Sequence, residues 1–223
     1  MQKIRTYIFD LDGVIVDTAK YHFQAWKKSA EELGIEFTKD SNELLKGVSR
    51  IRSLEIILEL GNKKISDAEF DRILNEKNKN YLSYIEKMDA SEILPGVLDA
   101  LKWIKNEGGK IVLGSASKNA KPILEKVGLM EYFDAIVDGN DVSKAKPDPE
   151  VFLLGAERTN SKPEECLVFE DAIAGIQAAN NAGMLSIGIG EKEVLKEADY
   201  VFADFTQITK EFFEKLENNK KRK

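Results

Sequence analysis

Cysteine and histidine each occur once in the 223 residues, as Cys166 and His22. A lone cysteine excludes a disulfide within the chain, and one of each leaves no Cys/His cluster for zinc. Cys166 opens the apolar run Cys166-Leu167-Val168-Phe169, where it is expected to fill core space. With 5 prolines and 15 glycines there is no low-complexity segment, and no internal repeat is visible. No apolar stretch is long enough to cross a bilayer, and neither a secretory h-region nor a basic transit-like helix opens the chain. The cytoplasm is therefore the expected compartment. Positive charge is in deficit, with a net charge of -6. Long-range attraction to nucleic acid or an anionic membrane is thus disfavoured, and phosphate must be bound locally. No Gly-Lys-Ser/Thr run suggests nucleotide hydrolysis, and Gly188-Ile189-Gly190 is too sparse for a dinucleotide fingerprint.

What is present is a series of short apolar runs that stop at polar residues. Tyr7-Ile8-Phe9 stops at Asp10-Leu11-Asp12-Gly13, and Lys110-Ile111-Val112-Leu113-Gly114 stops at Ser115. Ala135-Ile136-Val137 stops at Asp138, Cys166 to Phe169 at Glu170-Asp171, Leu185 to Ile189 at Gly190, and Tyr200-Val201-Phe202 at Ala203-Asp204. Helical patterns of the length used in βα units separate the later runs. This predicts an α/β fold with a doubly wound parallel sheet, whose ligands bind beyond the carboxyl ends of the strands.

Residues 18–89 break the rhythm. They hold amphipathic helices and no convincing strand, which predicts a helical insertion, with residues 1–17 and 90–223 forming the sheet domain. One helix begins near Ala19 and carries His22, Trp26, Ala30 and Leu33 on one face. A second opens at the capping box Ser66-Asp67-Ala68-Glu69 and runs to about Met88. Lys77 falls in the middle of its apolar stripe, so it must either snorkel out or meet an anion. The closing Lys220-Lys221-Arg222-Lys223 is expected to be a basic tail after a last helix.

Four elements stand at predicted strand ends or in the loops between them: Asp10 with Asp12, Ser115, Lys146 in Lys144-Ala145-Lys146-Pro147, and Glu170-Asp171. Phosphoryl transfer needs this inventory: an oxygen nucleophile, a hydrogen-bond donor and a cation for the transferring oxygens, and carboxylates for a hard divalent metal. Mg²⁺ is the expected ion, with oxygen ligands from Asp10, Asp171 and the backbone near Asp12, and Glu170 either ligating or standing behind.

The set Asp10-Leu11-Asp12-Gly13-Val14, Ser115, Lys146-Pro147 and Glu170-Asp171 resembles the four signature motifs of the haloacid dehalogenase-like phosphotransferases. That resemblance implies a Rossmann-like core with a helical cap inserted after the first strand. A narrower likeness to sugar-phosphate mutases of that family rests on Asp17-Thr18, His22, Trp26, Leu45-Lys46-Gly47-Val48-Ser49-Arg50, Lys77 and Ser115-Ala116-Ser117-Lys118-Asn119. It implies interconversion of β-glucose 1-phosphate and glucose 6-phosphate through a β-glucose 1,6-bisphosphate. Asp10 would become the aspartyl-phosphate, Asp12 would move protons, and Ser115 with Lys146 would hold the phosphoryl group. Arg50 would clasp the second phosphate, with the other residues of the narrower set lining the substrate site. A phosphatase of the same superfamily would share the first four motifs, and a non-catalytic sugar-phosphate sensor would not need both Asp10 and Asp12. The expected partners are small sugar phosphates, with no nucleic acid, no membrane and a monomeric chain.

Overall fold

The computed structural model describes residues 3–218, so the basic tail Lys220 to Lys223 lies outside the described residues. Among the described residues, six parallel strands form one sheet: β1 (Thr6–Phe9), β2 (Lys110–Gly114), β3 (Ala135–Val137), β4 (Cys166–Glu170), β5 (Leu185–Ile189) and β6 (Tyr200–Phe202). Their order is β3-β2-β1-β4-β5-β6, so the chain starts in the middle and winds outward both ways. The order reverses at β1, and the loops beside it are where such sheets take ligands.

Alternation along the strands distributes the core over both faces. Tyr7, Phe9, Ile111, Leu113, Leu167 and Phe169 pack on one face, beneath α5 (Val97–Asn106), α6 (Ala120–Val127) and α9 (Lys210–Asn218). Ile8, Val112, Cys166 and Val168 pack on the other, against α7 (Glu150–Arg158) and α8 (Ile173–Asn181). Cys166 is fully buried, as expected of a core filler, and burial pushes its thiol up to about 12.

Between β1 and α5 lie α1 (Ala19–Glu32), α2 (Lys39–Glu43), α3 (Arg50–Leu60) and α4 (Asp67–Ile85). Ser66 caps α4 by accepting from Glu69 N at 3.3 Å, and Ser49 caps α3 by accepting from Arg52 N at 3.2 Å. These helices bury a cluster of their own, made of Trp26, Ala30, Leu33, Ile35, Phe37, Leu45, Leu54, Ile57, Leu58 and Ile73. No described helix is long and apolar enough to cross a membrane.

Candidate active site

Strand register places the first acids. Phe9 pairs with Phe169 in the parallel β1/β4 ladder, and their rings stack with centroids 4.5 Å apart. The next residue on each strand, Asp10 and Glu170, turns to the opposite face, so two carboxylates emerge side by side over α7. Lys146 enters between them. Its Nζ donates to Asp10 Oδ1 at 2.6 Å, Glu170 Oε1 at 2.6 Å and the Gly114 carbonyl at 3.1 Å, above the Phe152 ring. Burial alone would lower the Lys146 pKa, but the two carboxylates outweigh it and raise the value. The Lys146–Pro147 bond is cis.

Oxygens of Asp10, Glu170 and Asp171 all lie within 4.8 Å of one another. Burial, and then the charges of Glu170 and Asp10, push the Asp171 carboxyl well above the usual carboxylate range. Glu170 is raised chiefly by burial, which Lys146 opposes. A cation would relieve this strain, and a donor set of carboxylate oxygen with neither sulfur nor imidazole suits a hard one. Gly13 makes room for the group: with φ at +81°, a Cβ there would stand 2.2 Å from Asp171 Oδ2.

Asp12, expected among the metal residues, keeps its carboxylate out of this trio. The chain turns at Gly13, and the Thr18 hydroxyl draws the Asp12 carboxylate toward α1 as a hydrogen-bond donor. Burial, then the charge of Asp10, raises its pKa to about 6. The sign of the linkage follows: a carboxyl raised from 3.8 to about 6 destabilises the fold above pH 6, and the cost vanishes below 3.8. Asp12→Asn should therefore raise stability by about 1–2 kcal/mol near neutral pH, with no gain near pH 4. Thermal unfolding at the two pH values checks this; equal shifts at both would refute the raised pKa.

Lys77 takes neither of its expected options. It is 2% exposed, and its Nζ meets His22 Nδ1 at 3.0 Å between the rings of Trp26 and Tyr81, 4.7 and 4.6 Å from their centroids. Aromatic faces replace the anion. Burial, then the charge of Arg50, lowers its pKa to about 7. In its ammonium form Lys77 has only protons to give, so His22 then accepts at Nδ1 and carries its own proton on Nε2. That Nε2, buried without a hydrogen-bond partner, faces Asp12 Oδ1 at 3.8 Å. Burial and Lys77 hold His22 well below its ordinary pKa, so the ring is neutral.

A cavity of about 530 Å³ connects these groups. Asp10, Asp12, Lys146 and Asp171 form its sheet side, with Ala116, Ser117, Lys118 and Asn119 beyond β2. His22, Trp26, Lys46, Gly47, Val48, Ser49, Arg50 and Lys77 form its helical side. Thr18, Ser115 and Glu170 stand behind this lining, all three fully buried. Ser115 Oγ accepts from Ser117 N at 3.0 Å, which leaves its hydroxyl hydrogen free to donate. Ser49 spends its oxygen on the α3 cap, while Arg50, in the first turn, makes no hydrogen bond or ion pair among the described residues.

Two residues are missed by sequence reasoning. Tyr81 reads as part of an apolar stripe, yet its hydroxyl is buried beside Thr18, its pKa raised well up by burial and then by Asp12. Asn78 gives no signal at all. It accepts from Asn119 Nδ2 at 3.0 Å, which ties α4 to the start of α6.

Residues 4–183 match the haloacid dehalogenase-like hydrolase family, and the chain belongs to it. Within that family it is 43% identical over 210 residues to the beta-phosphoglucomutase of Bacillus subtilis, covering 93% of each chain. The crystal structure of a beta-phosphoglucomutase from Clostridium difficile superposes with a TM-score of 0.93 at 44% identity, covering 97% of this chain and 98% of that one. A phosphorylated carbohydrates phosphatase of Thermotoga maritima is 36% identical over 179 residues, covering 79% of this chain and 81% of its own.

Proposed function

We propose that this protein is a magnesium-dependent phosphomutase that interconverts β-D-glucose 1-phosphate and D-glucose 6-phosphate through an aspartyl-phosphate and a bound β-glucose 1,6-bisphosphate. One observation carries the reading beyond the relatives' names: the cavity has an unpaired guanidinium, Arg50, on its helical side, and a buried Lys146 beside Asp10 on its sheet side. A bisphosphate needs a cation for each end, and guanidinium suits the phosphate that is held without reacting. Hydrolysis of a monophosphate needs only the Lys146 end.

In this reading residues 18–89 are a cap domain over the sheet domain formed by 1–17 and 90–223. An Asp10 carboxylate oxygen attacks phosphorus, and the bond from phosphorus to the sugar oxygen breaks. Asp12 gives its proton to that oxygen and takes one back from the other hydroxyl after the sugar turns. A carboxyl raised to about 6 can do both near neutral pH. Thr18 and His22 hold Asp12, and Lys77 fixes the His22 tautomer. Lys146 and the free Ser115 proton face the transferring oxygens. Asp10, Asp171 and Glu170 would hold Mg²⁺, together with the backbone near Asp12; when bound, it neutralises charge on the phosphoryl oxygens. Gly47, Val48, Ser117 and Lys118 would bound the sugar. We take the working form as a monomer in the cytoplasm, where a buried, unpaired Cys166 is at home.

Phosphorus NMR with Mg²⁺, a trace of the bisphosphate and either anomer of glucose 1-phosphate tests the reading. Glucose 6-phosphate from the β anomer alone is expected. Steady release of inorganic phosphate would instead favour the phosphatase reading, which the Thermotoga relative's name supports.

The Asn78–Asn119 bond bears on the same contest, since a closed cap keeps water from the aspartyl-phosphate. Asn78→Ala removes a hydrogen bond worth about 1 kcal/mol, so phosphate release per mutase turnover should rise roughly fivefold. An unchanged ratio in the same NMR experiment would remove Asn78 from cap closure.

A further inference from the structure

The trio of acids is unevenly neutralised. Lys146 binds Asp10 and Glu170, both at 2.6 Å, and donates nothing to Asp171. Among the described residues the cation that Asp171 meets comes from the cap: Lys46 Nζ lies 3.8 Å from Asp171 Oδ2 and 2.8 Å from Glu43 Oε2. The loop that carries Lys46 is seated on the sheet domain. Gly47 has φ +71°, and a Cβ there would stand 2.9 Å from the Ala172 Cβ, so its backbone rests against the residue that follows Asp171.

We propose that Lys46 and the divalent cation compete for Asp171, so that metal affinity and seating of the cap loop are coupled. The inference rests on reading Asp10, Glu170 and Asp171 as the metal centre. An ammonium at the edge of that centre repels a divalent ion entering it. The ion in turn cancels the attraction that draws Lys46, and the loop behind it, onto the sheet domain. Glu43 sets the balance, because it holds the same ammonium from the cap side. Glu191 is the further carboxylate acting on Lys46. Only Asp171 belongs to the acidic trio.

Mg²⁺ titration of the substrate-free protein by calorimetry, at low ionic strength, tests the coupling. Removing one unit charge several ångströms from a divalent ion, even at the dielectric of water, tightens binding about tenfold. Lys46→Gln should show that gain. Glu43→Gln, which releases Lys46 toward Asp171, should weaken Mg²⁺ binding about threefold in the parent and leave it unchanged in the Lys46→Gln background. Lys46 is a third exposed, so neither change threatens the fold. Affinities within twofold for parent and Lys46→Gln would overturn the inference while leaving the metal centre standing. So would an equal Glu43→Gln effect in both backgrounds. A parent protein that binds no Mg²⁺ would overturn the metal reading itself, and the coupling with it.

Discussion

Asp10→Asn should lower mutase turnover by about 10⁴-fold or more and abolish the phosphoenzyme, while leaving the protein folded. An amide oxygen is a poor nucleophile, and no neighbouring group can take over the attack. Ser115 is fully buried with its oxygen accepting from Ser117 N, and the Asp12 carboxylate is turned to Thr18. The fold survives because Lys146 keeps Glu170 at 2.6 Å and the amide oxygen can still accept its second bond. Intact-mass detection of the phosphorylated chain, with steady-state kinetics, checks both halves. Turnover within tenfold of the parent would remove Asp10 from the nucleophile's role.

Lys146→Met should destabilise the protein by about 3–5 kcal/mol, because it leaves two buried carboxylates side by side without their cation. For a chain of this size that lowers the midpoint of thermal unfolding by roughly 10 °C. Methionine keeps most of the volume over Phe152, so the loss reports charge rather than packing. Two further results distinguish charge from a general defect. Adding Asp10→Asn to Lys146→Met should restore part of the midpoint, since one stranded charge disappears. Mg²⁺ should raise the midpoint of the variant more than that of the parent, because the cation then answers a greater need. A small loss that ignores both additions would mean that Asp10 and Glu170 share a proton and never needed Lys146. Turnover should also fall, on the order of 10³-fold, because the transferring oxygens lose a fixed charge.

The sheet is legible in the sequence because each strand is a short apolar run, and four of the six runs stop at a polar residue, Asp10, Ser115, Asp138 or Glu170. Asp10, Ser115, Glu170 and Asp171 inherit that legibility, since each directly follows, ends or lies just beyond such a run. Lys77 is only half legible. Helical periodicity puts it in the buried stripe, but its satisfaction by Trp26, Tyr81 and His22 depends on α1 lying against α4, a contact between segments some 50 residues apart. Asn78 is not legible at all. It follows Lys77 in the chain, and its partner Asn119 is brought near only when α4 meets the start of α6. Asp12 carries the same lesson in reverse. Its spacing from Asp10 places two acids on one loop, but does not show that the turn at Gly13 and the pull of Thr18 hold their side chains apart.

The helices between β1 and α5 bury much of their apolar surface in a cluster of their own, but Ala25 of α1 and Tyr81 and Ile85 of α4 belong to the cluster that covers one face of the sheet. A packing defect at Leu54 or Ile57 thus stays within the helical insertion, whereas one at Ala25, Tyr81 or Ile85 reaches the sheet. Substitutions in Leu54, Ile57 or Ile73 can reshape the helical side of the cavity while the Phe9 and Phe169 stack, which aligns Asp10 with Glu170, goes untouched. Exchange of the whole helical insertion between relatives would therefore have to bring side chains at 25, 81 and 85 that still fit the sheet cluster.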